Sequence, residues 1–125
     1  MARDFDSARK LYVRGCQLND GRGCLRLADL YAEGRGVKAS SGRARNFYTQ
    51  ACRLKDAEGC DSLALDLVAR KSYQQARRHF ESACELGFAP ACVSLGLLYE
   101  RGQGGKSDPQ RALGYFSKPC NEFSQ

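Results

Sequence analysis

The chain holds a single histidine, no CxxC pair, no block of five or six consecutive Lys or Arg, and no long apolar run. Each absence removes a class of function. No stretch approaches the roughly 20 apolar residues that a membrane-spanning helix needs, so no span is expected. The start, MARDFDSARKLY, lacks the apolar segment of a secretory signal. An exported native protein would therefore have had its signal removed or replaced by Met1. Without a basic block there is no polybasic tail. With His79 alone, a Cys–His nucleophile pair would have to use a neighbouring cysteine, and Cys84, five residues on, falls on a different helix face.

What is present suits a soluble globular protein: 42% hydrophobic and 27% charged residues in 125. Net charge is +6 and the pI about 9.1. A basic balance permits nucleic-acid contact without establishing it. The expected basic positions Arg43, Arg45, Arg53, Lys55, Arg77 and Arg78 carry no aromatic platform, so no nucleic-acid partner is expected. Seven cysteines are many for this length. Their number alone leaves disulfides, metal ligands and buried thiols open.

Spacing says more. Ala76, Phe80 and Cys84 recur as Ala8, Tyr12 and Cys16, as Ala44, Tyr48 and Cys52, and as Ala112, Phe116 and Cys120. That four-residue step places each trio on one helix face. A second pattern follows three of these copies: Cys24, Leu27, Ala28, Tyr31; Cys60, Leu63, Ala64, Leu67; Cys92, Leu95, Gly96, Tyr99. The small residue beside leucine admits a neighbouring helix, and the aromatic fills the space between helices. The interval is 36 residues from Cys24 to Cys60 and 32 from Cys60 to Cys92, within the range of helix–turn–helix solenoids. The shorter interval lies in LVARKSYQQA, which lacks the glycine-rich turn of YAEGRGVKASSGRA and YERGQGGKSDPQRA. Gly34, Gly36, Gly102 and Gly104 suit positive φ where a helix stops, and Ser107 or Asp108 can cap the next helix before Pro109. The pattern predicts seven helices over roughly 4–17, 22–33, 41–54, 57–69, 72–86, 89–100 and 108–118, the last fraying or ending at Pro119. The fold class expected is all-α: an α/α solenoid of stacked antiparallel helix pairs.

LADLYAEGRGV (Leu27 to Val37) and LGLLYERGQGG (Leu95 to Gly105), with Ala44 and Ala112 after each loop, resemble the Sel-1-like repeat, a relative of the tetratricopeptide repeat. Segments such as ACELGFAPAC are similar to those of its cysteine-rich bacterial (Hcp-type) subfamily. The resemblance implies one array over 1–125, as a half repeat at 4–20 and repeats at about 21–56, 57–88 and 89–125. It also implies a right-handed superhelix and the disulfides Cys16–Cys24, Cys52–Cys60 and Cys84–Cys92. Cys120 is then left as a free thiol, in a degenerate or truncated last repeat. Each bridge would close a small loop, which stabilises by roughly 2–3 kcal/mol. Zinc is the competing reading, but its four ligands would have to come from separate repeats.

By analogy with tetratricopeptide repeats, the first helix of each pair lines a concave groove. The expected partner-facing residues are Arg22, Leu25, Asp29 and Glu33; Glu58, Asp61, Leu65 and Val68; and Val93, Leu97, Glu100 and Arg101. Aliphatic side chains beside mostly acidic charge suit a protein or peptide partner bearing Lys or Arg. No catalytic residue, metal or cofactor is assigned. Ser7 to Lys10 reads S-x-x-K, yet neither S-D-N nor K-T-G accompanies it. GQGGKS (Gly102 to Ser107) lacks phosphate-loop spacing. The expected function is a monomeric, non-enzymatic protein–protein interaction scaffold. The alternatives are a penicillin-binding or weakly β-lactamase-like secreted protein, which the resemblance brings in, and an immunity protein that neutralises a cognate toxin. Disulfides would place the protein outside the cell or in the periplasm, and reduced thiols in the cytoplasm.

Overall fold

The computed structural model describes residues 4–123, and the side chains of 4–118. Among them are helices and no strands: α1 (Phe5–Gln17), α2 (Gly21–Glu33), α3 (Ser41–Arg53), α4 (Ala57–Ala69), α5 (Tyr73–Glu85), α6 (Ala89–Arg101) and α7 (Pro109–Phe123). The all-α repeat architecture is thus as the periodicity predicts, with element ends within one or two residues for six of the seven helices.

Local chemistry explains the starts and stops. Asp4 accepts from the Ser7 amide at 2.9 Å, Ser40 from the Arg43 amide at 3.1 Å, and Asp108 from the Arg111 amide at 3.0 Å. Each satisfies an otherwise unpaired amide in a first turn. Of the two cap candidates before α7 it is Asp108 that caps, while the Ser107 hydroxyl donates to the Glu100 carbonyl at 2.8 Å. Helices α2 and α6 end on left-handed Gly34 (φ 69°) and Gly102 (φ 68°). The expected end at Pro119 is corrected: α7 continues to Phe123. A proline withholds one amide from the ladder, and the backbone keeps its helical path through that missing rung.

The chain forms two compact units, 1–59 and 60–125. In the first, α2 packs against both α1 and α3. Cys16, Cys24, Leu25, Leu27 and Ala51 are buried together, with Tyr12, Val13, Tyr31, Phe47 and Tyr48 packed around them. Tyr31 stacks on Phe47 at 5.6 Å between centroids. In the second, α6 packs against α5 and α7. Ala76, Phe80, Ala83, Cys84, Ala91, Cys92, Leu95, Leu98 and Ala112 are buried there. Tyr99 stacks on Tyr115 at 5.5 Å. Phe116 lies over Gly96 so closely that a Cβ there would sit 2.4 Å from the ring. The small residue of the repeat is therefore set by the aromatic of the following helix.

Candidate functional site

Cysteine pairs fasten the helix junctions. Cys16 is bonded to Cys24 and Cys84 to Cys92, with Cα atoms 4.5 and 4.7 Å apart. Cys52 and Cys60 are also disulfide-bonded, which makes three disulfides. The side chain of Cys120 lies outside the described residues. Helix ends this close leave little room: a Cβ on Gly23 would lie 2.9 Å from the Cys16 amide nitrogen. No group of three or more metal-ligating side chains occurs among the described residues.

In the first unit the partner-facing candidates are tied to other side chains of the chain. Arg22 reaches Asp56 at 3.2 Å and Glu58 at 2.9 Å. Asp56 in turn accepts from the Gly59 amide at 3.0 Å, capping the first turn of α4. Asp29, half-buried on α2, accepts from the Tyr48 hydroxyl at 2.8 Å and faces Arg26 at 3.9 Å. Burial holds its carboxyl above the usual carboxylate range, against the lowering effect of Tyr48 and Arg26. Glu33, one turn further on, pairs with Arg35, whose guanidinium lies 5.9 Å from the Phe5 ring centroid. Asp29 and Glu33 line one cleft of about 310 Å³ with Phe5, Tyr12, Arg26 and Arg35. Sequence reasoning missed Arg26, Arg35, Tyr48 and Asp56. The i, i+3 spacing of Arg26 and Asp29 was a readable signal, whereas the Tyr48 bond joins two helices.

Leu25 is a correction. It is 2% exposed and belongs to the buried cluster of the first unit, so it is not an available surface residue. Helix α2 buries positions 23, 24, 25, 27, 28 and 30, a wider arc than the cysteine, leucine and alanine of the repeat define. Leu25 is the apolar member at its edge, and burying a leucine stabilises by roughly 1.5–3 kcal/mol. In the later repeats its place is taken by half-buried Asp61 and by Val93, 43% exposed.

Leu65 is 52% exposed on α4 and Val68 half-buried. On α6, Val93 and half-buried Leu97 follow one another by a helical turn, with exposed Glu100 and Arg101 beyond them. Arg77 donates from Nε to the Gln103 carbonyl at 2.7 Å and from Nη2 to the Leu98 carbonyl at 3.2 Å. Its guanidinium lies 4.0 Å from the centre of the Tyr99 ring. His79 is half-buried, and burial, then the nearby Arg78, keeps its pKa below the ordinary imidazole value. The S-x-x-K pair does not form a nucleophile and base: Ser7 Oγ donates to Asp4 at 2.6 Å, and Lys10 pairs with Asp6 at 3.3 Å.

The Sel1 repeat family matches residues 1–20, 21–56, 66–88 and 89–120. Over 52 residues, 42% of this chain, the sequence is 42% identical to the protein named beta-lactamase HcpA of Helicobacter pylori strain J99. That match spans 21% of the relative's length. A solved Sel1 repeat protein from Oxalobacter formigenes superposes with a TM-score of 0.84 at 22% identity, over 94% of this chain and 49% of the other. Protective antigen c5321 of uropathogenic Escherichia coli, which displays an SLR fold, gives 0.80 at 21% identity over 91% and 26%. Cysteine rich protein B of Helicobacter pylori gives 0.66 at 26% identity over 94% and 86%. Four matched stretches, the helical repeat fold and the repeated junctions agree: the chain belongs to the Sel1 repeat family, and its disulfide-bonded cysteines make it similar to the cysteine-rich proteins of Helicobacter pylori.

Proposed function

We propose that this chain is a non-enzymatic scaffold that holds a protein or peptide partner against the first helices of its repeats. Sel1 repeat proteins are generally protein-interaction scaffolds. The observation that carries the reading here is the α6 strip, where Val93 and Leu97 stand one turn apart beside Glu100 and Arg101. An apolar strip rimmed by charge gives a partner both contact area and register. Leu65 and Val68 offer the same chemistry on α4. In the first unit a partner's Lys or Arg would exchange with Arg26 and Arg35 at Asp29 and Glu33, and with Arg22 at Glu58. Exposed pairs of this kind contribute about 0–1 kcal/mol each, so the exchange is nearly neutral and apolar contact sets the affinity.

The three disulfides support a secreted or periplasmic site of action, since reducing compartments do not maintain such bonds. A monomeric scaffold is part of the proposal. A photo-crosslinking residue at Val93 should capture a partner in the native compartment, whereas one at Gln75 on α5 should not. With the crosslinking residue kept at Val93, Leu65→Asp should weaken capture while far-UV circular dichroism is unchanged. With the partner in hand, reversing Asp29, Asp61 and Glu100 to Lys should weaken a basic ligand roughly tenfold. Unchanged affinity would sink the basic-partner reading.

One observation favours a second reading: the relative matched over 52 residues is named a beta-lactamase. Turnover of a chromogenic cephalosporin, abolished by replacing one proposed nucleophile, would establish it. The engagement of Ser7 with Asp4 and of Lys10 with Asp6 argues against that pair as the source.

A further inference from the structure

The two glycine-rich loops occupy equivalent places in the repeat but treat an equivalent arginine differently. In the second unit Arg77 enters the loop after α6, donates to the carbonyls of Leu98 and Gln103 at 3.2 and 2.7 Å, and stacks on Tyr99 at 4.0 Å. Gly105 leaves the guanidinium this place: a Cβ there would lie 2.7 Å from Arg77 Nη1, which would then have to shift. In the first unit the matching residues are Arg9, Tyr31 and, in place of Gly105, Val37. A β-branched side chain at that place takes the room the guanidinium needs. Arg9 is accordingly turned to Asp6 at 2.8 Å.

The result is an open cleft of about 620 Å³ on the Tyr31 side of the loop. Arg9, Lys38 and Arg43 border it, and no carboxylate does. Asp6 answers the charge of Arg9 and also meets Lys10, while Lys38 and Arg43 have no carboxylate partner among the described residues. Arg43 is held with its guanidinium 5.7 Å from the Tyr31 ring centroid, and Tyr31 is fixed by stacking on Phe47. The first turn of α3 is already capped by Ser40, so the site rests on side-chain cations and not on the helix end.

We propose that this cleft binds an oxyanionic group, a carboxylate or phosphate, between Lys38 and Arg43 over the Tyr31 ring, and that Val37 keeps the site open by excluding Arg9 from the loop. Cations such as Lys38 and Arg43, which border one cleft without a carboxylate counterpart, gain most from an oxyanion with several acceptor oxygens. The site lies on the loop side of the first unit and is independent of the first-helix faces discussed above.

The test is calorimetric titration of the whole chain with inorganic phosphate and with a tetraglutamate peptide at fixed ionic strength, since screening would otherwise mask the difference. Saturable one-site binding is expected. Lys38→Gln and Arg43→Gln should each weaken it roughly tenfold. Val37→Gly removes no charge, yet it should also weaken binding roughly tenfold or more, because Arg9 then takes the place that Arg77 takes in the second unit. Binding of phosphate alone identifies a phosphate ligand, and binding of the peptide alone a polypeptide carboxylate. Either outcome supports the site. Absence of saturable binding to both probes overturns it, as does binding that survives Lys38→Gln and Arg43→Gln or is indifferent to Val37→Gly. Lys38 is exposed, so its variant keeps the fold and the test stands even if another variant does not.

Discussion

At the residue scale, strain and titration are concentrated at a few named positions. Asn19, Lys55 and Lys71 hold φ of 65°, 63° and 62° in the turns after α1, α3 and α4, and Gly87 takes the corresponding place after α5 at 93°. A side chain in the left-handed region costs about 1–2 kcal/mol, of which a glycine recovers part after its own chain entropy. Lys55→Gly should therefore raise the unfolding free energy by about 0.5–1 kcal/mol in urea denaturation, and a loss of stability would contradict the turn assignment. His79 and Asp29 set opposite pH trends. Because the folded pKa of His79 is depressed, its contribution is present above the ordinary imidazole value and is lost as pH falls through the folded one. Stability should decline as pH falls below the ordinary imidazole value, and His79→Gln should flatten that decline. Asp29, with a raised carboxyl pKa, works the other way: its contribution is present at low pH and lost as pH rises through the folded value.

At the scale of elements, the junctions between helices matter more than the helices themselves. Thirteen-residue helices such as α5 and α6 are marginal alone in water and depend on packing. The Cys84–Cys92 bridge spans a sequence separation of 8 between them. Its loss in Cys84→Ala with Cys92→Ala should lower stability by about 2–3 kcal/mol, read from denaturant midpoints. The loop after α6 is held by the Arg77 fork on carbonyls and the Tyr99 ring. Arg77→Ala should cost about 1–2 kcal/mol and speed amide exchange around Ser107 and Asp108, whereas α1 to α3 should be unaffected. Arg77→Lys should recover little, because an ammonium lacks both the planar stack and the fork.

At the scale of the whole molecule, the architecture is a repeat array fastened by disulfides, and the redox state of its seven cysteines is the most accessible global observable. Intact mass and thiol counting on protein prepared without reductant should find three disulfides and one free thiol. Seven free thiols would remove the staples and shift the preferred compartment to the cytoplasm. Much of this was legible beforehand because a repeat states its rules several times over. Ala, aromatic and Cys at four-residue spacing name a helix face without reference to any partner element. The surface was less legible: Leu25 reads as a groove residue by register, yet the breadth of the buried arc on α2 takes it into the core.

The pairing of the cysteines came with the family resemblance; the sequence by itself determined the repeated helices, a cap before α7 and the glycine stops after α2 and α6. All of these depend on local spacing and backbone preference, which neighbouring residues carry. Tertiary structure alone decided which charges answer one another and where arginines go. Asp29 meets Tyr48 across two helices, and Arg22 reaches Asp56 and Glu58 more than 30 residues away. Arg77 enters its loop because Gly105 leaves room, while Arg9 is turned aside where Val37 does not. A long flexible side chain selects among partners by distance and free volume, and neither quantity is written in local sequence.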